Sequence, residues 1–398
     1  MLRHRAYRYE LDPGLETEEL LRKHCGAARW AWNWALAERK KRFTEKEGKE
    51  RFTNAQTQNK ELVLLKHTTH PWLFDVSKCA PQQALRNLDR AFKNIKKTGA
   101  GFPKFKKRGA CRDSFYLQLN IAISGRYVRL PRLGAIRLKE RPKVYGEIKS
   151  ATVSRQADRW FVSLHVVEEV PLPAPPPPNG DVTGVDLGIS TFATLSDGTK
   201  IEHPKPLARD LEKLKRAQRA LSRKRKGSKN REKAALRFAK IHMRIGNVRK
   251  DFLHKITTML AKTKQAIVVE DLNVSGMVKN RHLSRSIMEQ GWGEFRRQLE
   301  YKTEWYGSKL IVADRLFASS KKCFDCGEKN AMLKLSDRKW TCRCGAHHDR
   351  DVNAARNLRQ LGVVKPVESP LAAEPESSGS TSNGSMKQEA GMGNVRIF

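Results

Sequence analysis

The sequence predicts a two-part fold: an α+β half, in which a helical block interrupts a small β-barrel, and an α/β half with helices on the faces of a sheet. Three observations carry this. Short alternating apolar runs flank a block of amphipathic helices. A proline-rich stretch, Pro171 to Pro178, then changes the grammar of the chain. Behind it strands alternate with long helices, and four cysteines cluster late in the sequence.

The first strand runs from His4 to Leu11 and ends on Asp12-Pro13-Gly14, which is turn chemistry. Helical periodicity follows over Glu16 to about Phe43, Gln56 to Leu65 and Cys79 to Lys97. Trp30, Trp32 and Trp34 fall within the first of these, and their place in the apolar pattern makes them packing anchors before base-stacking platforms. Gly99 to Pro103 breaks the helices. Short strands then come at Ser114–Leu119, Tyr127–Leu130, Ile148–Ser154 and Trp160–Val167.

In the second half, Val182–Gly188, Thr191–Leu195 and Lys200–His203 read as strands, with Asp197-Gly198 as a hairpin turn. Two long basic helices are expected, Ala208 to about Lys226 and Arg231 to about Lys262. Ile241, Ile245, Val248, Phe252, Ile256 and Leu260 give the second an apolar stripe. Ala266–Val269 is a buried strand, Gly293–Tyr306 a helix and Lys309–Ala313 a strand. A last helix, Arg350–Gln360, is closed by Gly362. The tail Lys365–Phe398, rich in Ser, Gly, Glu and Pro, is expected to be disordered.

Composition narrows the partners. The chain has 398 residues, 79 Lys plus Arg against 42 Asp plus Glu, and a formal charge of +37. Such an excess repels itself unless a polyanion neutralises it, and nucleic acid is the natural one. No apolar run approaches the roughly 20 residues a membrane span needs. Met1-Leu-Arg-His-Arg lacks the apolar stretch of a secretory signal. A cytoplasmic, nucleoid-associated setting follows as the expectation. Cys25, Cys79 and Cys111 are scattered and read as plain buried thiols.

Three acids interrupt apolar surroundings: Asp186 within Gly184-Val-Asp-Leu-Gly188, Glu270 after Ile267-Val-Val269, and Asp351 at the start of the last helix. An unpaired buried carboxylate is costly, and divalent magnesium compensates it well. Two such ions can activate water and stabilise a departing oxygen in phosphodiester hydrolysis. Taken singly, each acid also reads as a turn or cap residue; Asp271 and Asp349 are the neighbouring choices, with Asp349 the better helix cap. Arg350 could orient a carboxylate or meet a phosphate, and Asn353 could support the metal shell.

Cys323-Phe-Asp-Cys326-Gly327 and Cys342-Arg-Cys344-Gly345 supply four thiolates, the ligand set of a structural zinc ion. The second pair is one residue shorter, so its turn is not expected to copy the first. His347 or His348 could replace one sulfur.

These stretches give the chain a family resemblance. Gly26-Ala-Ala-Arg29 with Asn33, Phe102-Pro-Lys-Phe-Lys106, Gly184–Gly188, Leu221–Asn230, Asn247–His254, Val269–Leu272 and above all Asp349–Ala355 behind the cysteines resemble TnpB. This is the insertion-sequence (OrfB-type) family related to type V CRISPR effectors, and the likeness spans residue 1 to about 362. It implies a wedge-type β-barrel (1–11 and 103–172), a helical recognition domain (12–102) and a linker (173–180). It further implies an RNase H-like RuvC nuclease (181–317 and 349–364) with a zinc-ribbon insert (318–348).

The resemblance implies an RNA-guided DNA endonuclease with Asp186, Glu270 and Asp351 as metal-binding catalytic acids. Its partners would be a guide RNA from the transposon end and double-stranded target DNA beside a short motif, one protein chain per RNA. Lys104, Lys106, Lys107 and Arg108, with Arg223, Lys224, Arg225 and Lys226, would contribute basic surface. A non-cleaving RNA-guided repressor and a strand-transferring transposase remain as alternatives on the same fold.

Overall fold

The computed structural model describes residues 1–173, 181–334 and 337–364. The linker expected at 173–180, apart from Pro173, and the tail from Lys365 lie outside the described residues.

β1 (Leu2–Asp12) is followed by three helices, α1 (Leu15–Glu45), α2 (Ala55–Thr68) and α3 (Cys79–Thr98), before β2 (Ser114–Gln118) begins. Asn54 caps α2, its Oδ1 accepting from the amides of Gln56 and Thr57. Gly99 ends α3 in the left-handed region at φ +66°. β3 (Ala122–Ser124), β4 (Tyr127–Leu130), β5 (Gly134–Leu138), β6 (Glu147–Gln156) and β7 (Arg159–Glu169) complete a sheet of order β2-β6-β7-β1-β5-β4-β3. Among the described residues no ladder joins its outer strands β2 and β3. The strand at 122–124 is too short to give an alternating signal by itself, and that at 134–138 opens on glycine and alanine, both exposed.

One continuous core joins this sheet to the helices. Leu21, Leu36, Leu62 and Leu88 share it with Leu117, Leu138 and Leu164. Trp32 is buried here, while Trp30 and Trp34 stack with centroids 5.9 Å apart at its margin. The tryptophans are therefore packing anchors.

The second sheet is β8 (Val182–Leu187), β9 (Ala193–Leu195), β10 (Lys200–Ile201), β11 (Ala266–Glu270) and β12 (Lys309–Ala313), in the order β10-β9-β8-β11-β12. β8, β11 and β12 are parallel, whereas β9 and β10 return antiparallel. α4 (Pro206–Ser222) and α5 (Lys229–Thr263) lie between β10 and β11. Two short helices, α6 (Val274–Met277) and α7 (Ser284–Gln290), precede α8 (Trp292–Tyr306). The cysteine insert contains β13 (Lys339–Thr341) and β14 (His347–Asp349), and α9 (Arg350–Val364) closes the described chain.

The expected order of strands and helices is present, with two corrections. α4 ends at Ser222, so Arg223–Lys226 occupies a turn, not a helix. Arg231 Nη1 fixes that turn by donating to the carbonyls of Leu221 (2.8 Å) and Lys224 (3.0 Å). Gly362 does not close α9; it lies inside it. A Cβ there would approach Val182 Cγ1 to 2.7 Å and Val268 Cγ2 to 2.9 Å, so this glycine permits close helix–sheet contact.

Strand parity sorts the two faces of this sheet. Val185, Ile267 and Val269 point to a core shared with Leu253, Leu260, Phe295 and Leu299 of α5 and α8. Val182 and Val268 point the other way, into a core with Leu358 and Leu361 of α9. The sheet is thus the middle of three layers.

Candidate metal and nuclease centre

Parity also places the acids. Asp186 and Glu270 follow Gly184 and Val268 at intervals of two, so both belong to the face that α9 covers. The β8–β11 register pairs Val185 with Val269, and the next residues along the two parallel strands are Asp186 and Glu270. α9 runs down the same face. Gly362 lies against Val182, and a Cβ at Gly184 would stand 1.9 Å from the Ala355 carbonyl oxygen. One turn before Ala355 is Asp351, which brings its carboxylate toward the strand ends.

Electrostatics shows the proximity. Burial, then the like charges of Glu270 and Asp351, push Asp186 well above the usual carboxylate range, with Arg350 and Arg338 opposing. Glu270 Oε1 accepts a hydrogen bond from Ser319 Oγ. Asp351 is held by Arg338, whose Nη1 lies 3.3 and 3.1 Å from its two oxygens. Arg338 Nη2 also donates to Ser190 Oγ at 2.7 Å. Arg350 Nε stands 3.9 Å from Asp351.

The neighbouring acids are committed elsewhere. Asp271, on the opposite parity from Glu270, pairs with Arg296 and with Arg315 (2.6 Å). Asp349 caps α9, its Oδ1 accepting from the amides of Asp351 (3.1 Å) and Val352 (3.2 Å), and it meets Lys200 Nζ at 2.8 Å.

Among the described residues, the ligand atoms of two groups close to within 4.8 Å of one another: the four cysteines, and Cys323 with Asp325 and His348. The three carboxylates are more loosely gathered than that. Asp351 meets Arg338, on the side of the insert.

Cys323, Cys326, Cys342 and Cys344 are all free thiols. Their sulfurs approach to 3.5 Å (Cys326–Cys342) and 3.8 Å (Cys323–Cys344), far longer than an S–S bond and suited to a shared metal ion. The two cysteine turns share one pattern despite their different lengths. In each, the glycine after the second cysteine has positive φ (Gly327 +79°, Gly345 +88°) and donates its amide to the carbonyl of the first cysteine. In each, the amide of the first cysteine donates to the residue after the glycine, Glu328 or Ala346. The shorter turn therefore copies the longer one, contrary to the sequence expectation, because the glycine closes it one residue earlier.

Burial raises the Cys323 thiol, but backbone amides of Cys326 and Asp325 and the His348 ring more than offset this and bring it to about 6. His348 is buried, 3.1 Å from Cys323 Sγ and tilted against Trp340. His347 is exposed and bonds Thr341.

Asn353 does not face the carboxylates. Its Oδ1 accepts from the Phe324 amide (2.9 Å) and its Nδ2 donates to the Lys322 carbonyl (2.7 Å). Asn357 Nδ2 donates to the carbonyls of Ser319 (2.7 Å) and Lys322 (2.6 Å). These two side chains, one turn apart on α9, lock the first cysteine turn to the helix that carries Asp351. Sequence reasoning assigned no role to Asn357, although its spacing of four from Asn353 puts both on one helix face.

The basic residues expected to meet nucleic acid differ in availability. Lys104, Lys107, Arg108 and all of Arg223–Lys226 are exposed. Lys106 is half-buried, with its ammonium 3.9 Å from the Trp32 ring centre, and burial lowers its pKa. Among the described residues no helix is long and apolar enough to cross a membrane.

Comparison with known proteins supplies the family. Three family models match: "Probable transposase" of the OrfB_IS605 type over residues 165–281, "Cas12f1-like, TNB domain" over 292–358, and "Helix-turn-helix domain" of OrfB_IS605 over 1–49. The last stretch consists here of one strand, one 31-residue helix and a short 3-10 turn. A Streptomyces pristinaespiralis protein named "Putative RNA-guided DNA endonuclease" is 38% identical over 97% of this chain and 96% of its own length. The like-named InsQ of Escherichia coli (strain K12) is 36% identical over 91% of this chain and 93% of its own. In fold, the chain resembles the protein in the cryo-EM structure of the Cas12f1-sgRNA-target DNA complex, with TM-score 0.56, 16% identity, and coverage of 87% of this chain and 83% of that one. This chain belongs to the TnpB (OrfB-type) family of insertion-sequence proteins.

Proposed function

We propose that this chain is an RNA-guided DNA endonuclease encoded by an insertion sequence, and that Asp186, Glu270 and Asp351 are its catalytic acids. The observation that carries this is the meeting of three acids distant in sequence, one of them part-buried and raised by the charge of the other two. A like-charged cluster of this kind calls for a cation. Hydrated magnesium fits the all-oxygen donor set, and a pair of ions, when bound, activates water and stabilises the departing 3′-oxygen. The chain's own part is to hold the carboxylates on three rigid elements and to keep Asp186 desolvated. Arg338 and Arg350 supply positive charge beside them.

The four cysteines would hold one structural zinc ion, with His348 as a neighbour of Cys323. Residues 1–11 and 103–172 then serve as the wedge-type domain, with a sheet that no ladder closes into a barrel among the described residues, 12–102 as the recognition helices, 181–317 with 349–364 as the RuvC nuclease and 318–348 as the zinc ribbon. The partners are a guide RNA from the transposon end and double-stranded DNA, one chain per RNA, in the cytoplasm at the nucleoid. Exposed Lys104, Lys107, Arg108 and the turn Arg223–Lys226 meet phosphates; Lys106 contributes chiefly by ordering its segment.

The test is cleavage of a guide-matched plasmid with Mg²⁺ by the wild type and by Asp186→Ala. Cutting by the wild type alone, abolished by chelation, is expected. Equal cutting by both proteins removes Asp186 from the mechanism. Guide-free joining of transposon ends by the purified protein would instead favour a transposase.

A further inference from the structure

The segment from Phe102 to Arg108 belongs to no helix or strand, yet its backbone is fixed. Trp32 Nε1 donates to the Lys104 carbonyl at 3.0 Å. Asn33 closes a double bond with Lys106, donating from Nδ2 to its carbonyl (2.9 Å) and accepting its amide on Oδ1 (2.7 Å). Pro103 is buried and Lys106 packs on Trp32, so these two side chains face α1.

The intervening side chains are turned outward. Phe102 is 54% exposed and Phe105 46% exposed. Lys40 of α1 stands between them, its Nζ 5.5 Å from the Phe102 ring centre and 5.0 Å from that of Phe105. Phe92 supports Phe102 from behind, edge to face at 5.4 Å. Lys104, Lys107 and Arg108 flank the rings and are exposed. Among the described residues, no carboxylate pairs with Lys40, Lys104, Lys107 or Arg108.

Two half-exposed phenyl rings on a tethered loop, among cations that meet no carboxylate, suit one kind of occupant. A protein-binding patch is depleted in lysine at its centre. A stacked base with phosphates on either side uses both the rings and the charges. Duplex DNA hides its base faces, whereas folded RNA offers unpaired ones. We infer that Phe102 and Phe105 form a stacking platform for an unpaired base of the RNA this protein carries, with Lys40, Lys104, Lys107 and Arg108 on its flanking phosphates. This inference rests on the RNA-guided reading above.

The probe is the RNA that copurifies with the wild-type protein, transcribed, labelled and titrated against full-length variants at several salt concentrations. Phe102→Ala with Phe105→Ala should lower affinity about tenfold or more and leave the salt slope unchanged. Lys104→Ala, Lys107→Ala and Arg108→Ala together should flatten the slope by about 2, on the scale of about 0.7 per single-strand phosphate contact. Phe105→Tyr should bind as the wild type does, and Phe105→Leu should not, because leucine restores apolar bulk but no stacking face. Circular dichroism of each variant confirms folding. Wild-type affinity in the double alanine variant, or equal rescue by leucine and tyrosine, overturns the platform alone. A wild-type protein that binds no RNA overturns the RNA-guided reading as well.

Discussion

Gly184 of β8 lies directly beneath the carbonyl of Ala355 in α9, so close that a Cβ at 184 would stand 1.9 Å from that oxygen and 2.6 Å from the Arg359 amide nitrogen. Both obstacles are backbone, which cannot swing aside as a side chain does. The contact sets the height of α9 above the sheet and hence where Asp351 stands relative to Asp186. Gly184→Ala should cost about 3 kcal/mol or more, at the upper end of overpacking penalties, and abolish cleavage. Chemical denaturation and plasmid cutting measure the two effects; wild-type stability would refute the close contact.

Asn353 and Asn357 join the cysteine insert to the same helix through two carbonyls, of Ser319 and Lys322, and the Phe324 amide. Replacing both by Ala should leave those buried and part-buried groups without their partners, at about 1 kcal/mol each. Metal content should persist, because no thiol is touched. The expected signature is slower DNA cutting with zinc still bound at wild-type stoichiometry, read by elemental analysis and cleavage rates on one preparation. Loss of zinc in parallel with activity would mean that the asparagines act on the cysteine site itself.

Among the described residues the insert has little core of its own: Cys323, Leu333, Trp340 and Cys342 are its buried cluster, and two of these four are proposed metal ligands. Such a small unit depends on a cross-link. Cys323→Ser or strong chelation should loosen the insert and reduce cutting, while the seven-stranded sheet keeps its unfolding transition. Zinc analysis and differential scanning calorimetry test this. Unchanged zinc content in Cys323→Ser would remove that residue from the ligand set.

Lys302 of α8 is 4% exposed and ties α8 to α5, its Nζ donating to the His254 carbonyl (2.8 Å) and the hydroxyls of Thr257 (2.7 Å) and Thr258 (2.8 Å). Burial lowers its pKa from 10.5 to about 8. The folded state therefore releases its proton before the unfolded state does, and folding stability gains as pH rises from about 8 to 10.5. Other groups also titrate there, so the readout is the difference between the wild type and Lys302→Met. In urea melts the wild type should gain on the variant across that window, and a constant difference would show the lysine to be unshifted.

The α/β half was legible because its central strands are mostly apolar and its helices periodic, as in Ala266–Val269 and the stripe from Ile241 to Leu260. The cysteine site was legible from spacing alone. The acids were legible as charges in apolar surroundings. The choice between neighbours was uneven: Asp349 already reads as the helix cap, whereas strand parity turns Asp271 toward Arg296 and Arg315, which no linear pattern displays. The turn at Arg223–Lys226 was read as helix because lysine and arginine are good helix formers. Gly362 was read as a stop because a glycine near a helix end usually is one.

The sequence by itself determined the order of elements, the thiolate cluster, the net charge and the identity of the acids that interrupt apolar strands, because each depends on residue type and local period. Only the tertiary structure decided the seating of α9 on Gly184, the clamp made by Asn353 and Asn357, the hold of Arg338 on Asp351 and the burial of Lys302. Those depend on contacts between segments far apart in the chain, where backbone separation and packing, not propensity, set the outcome.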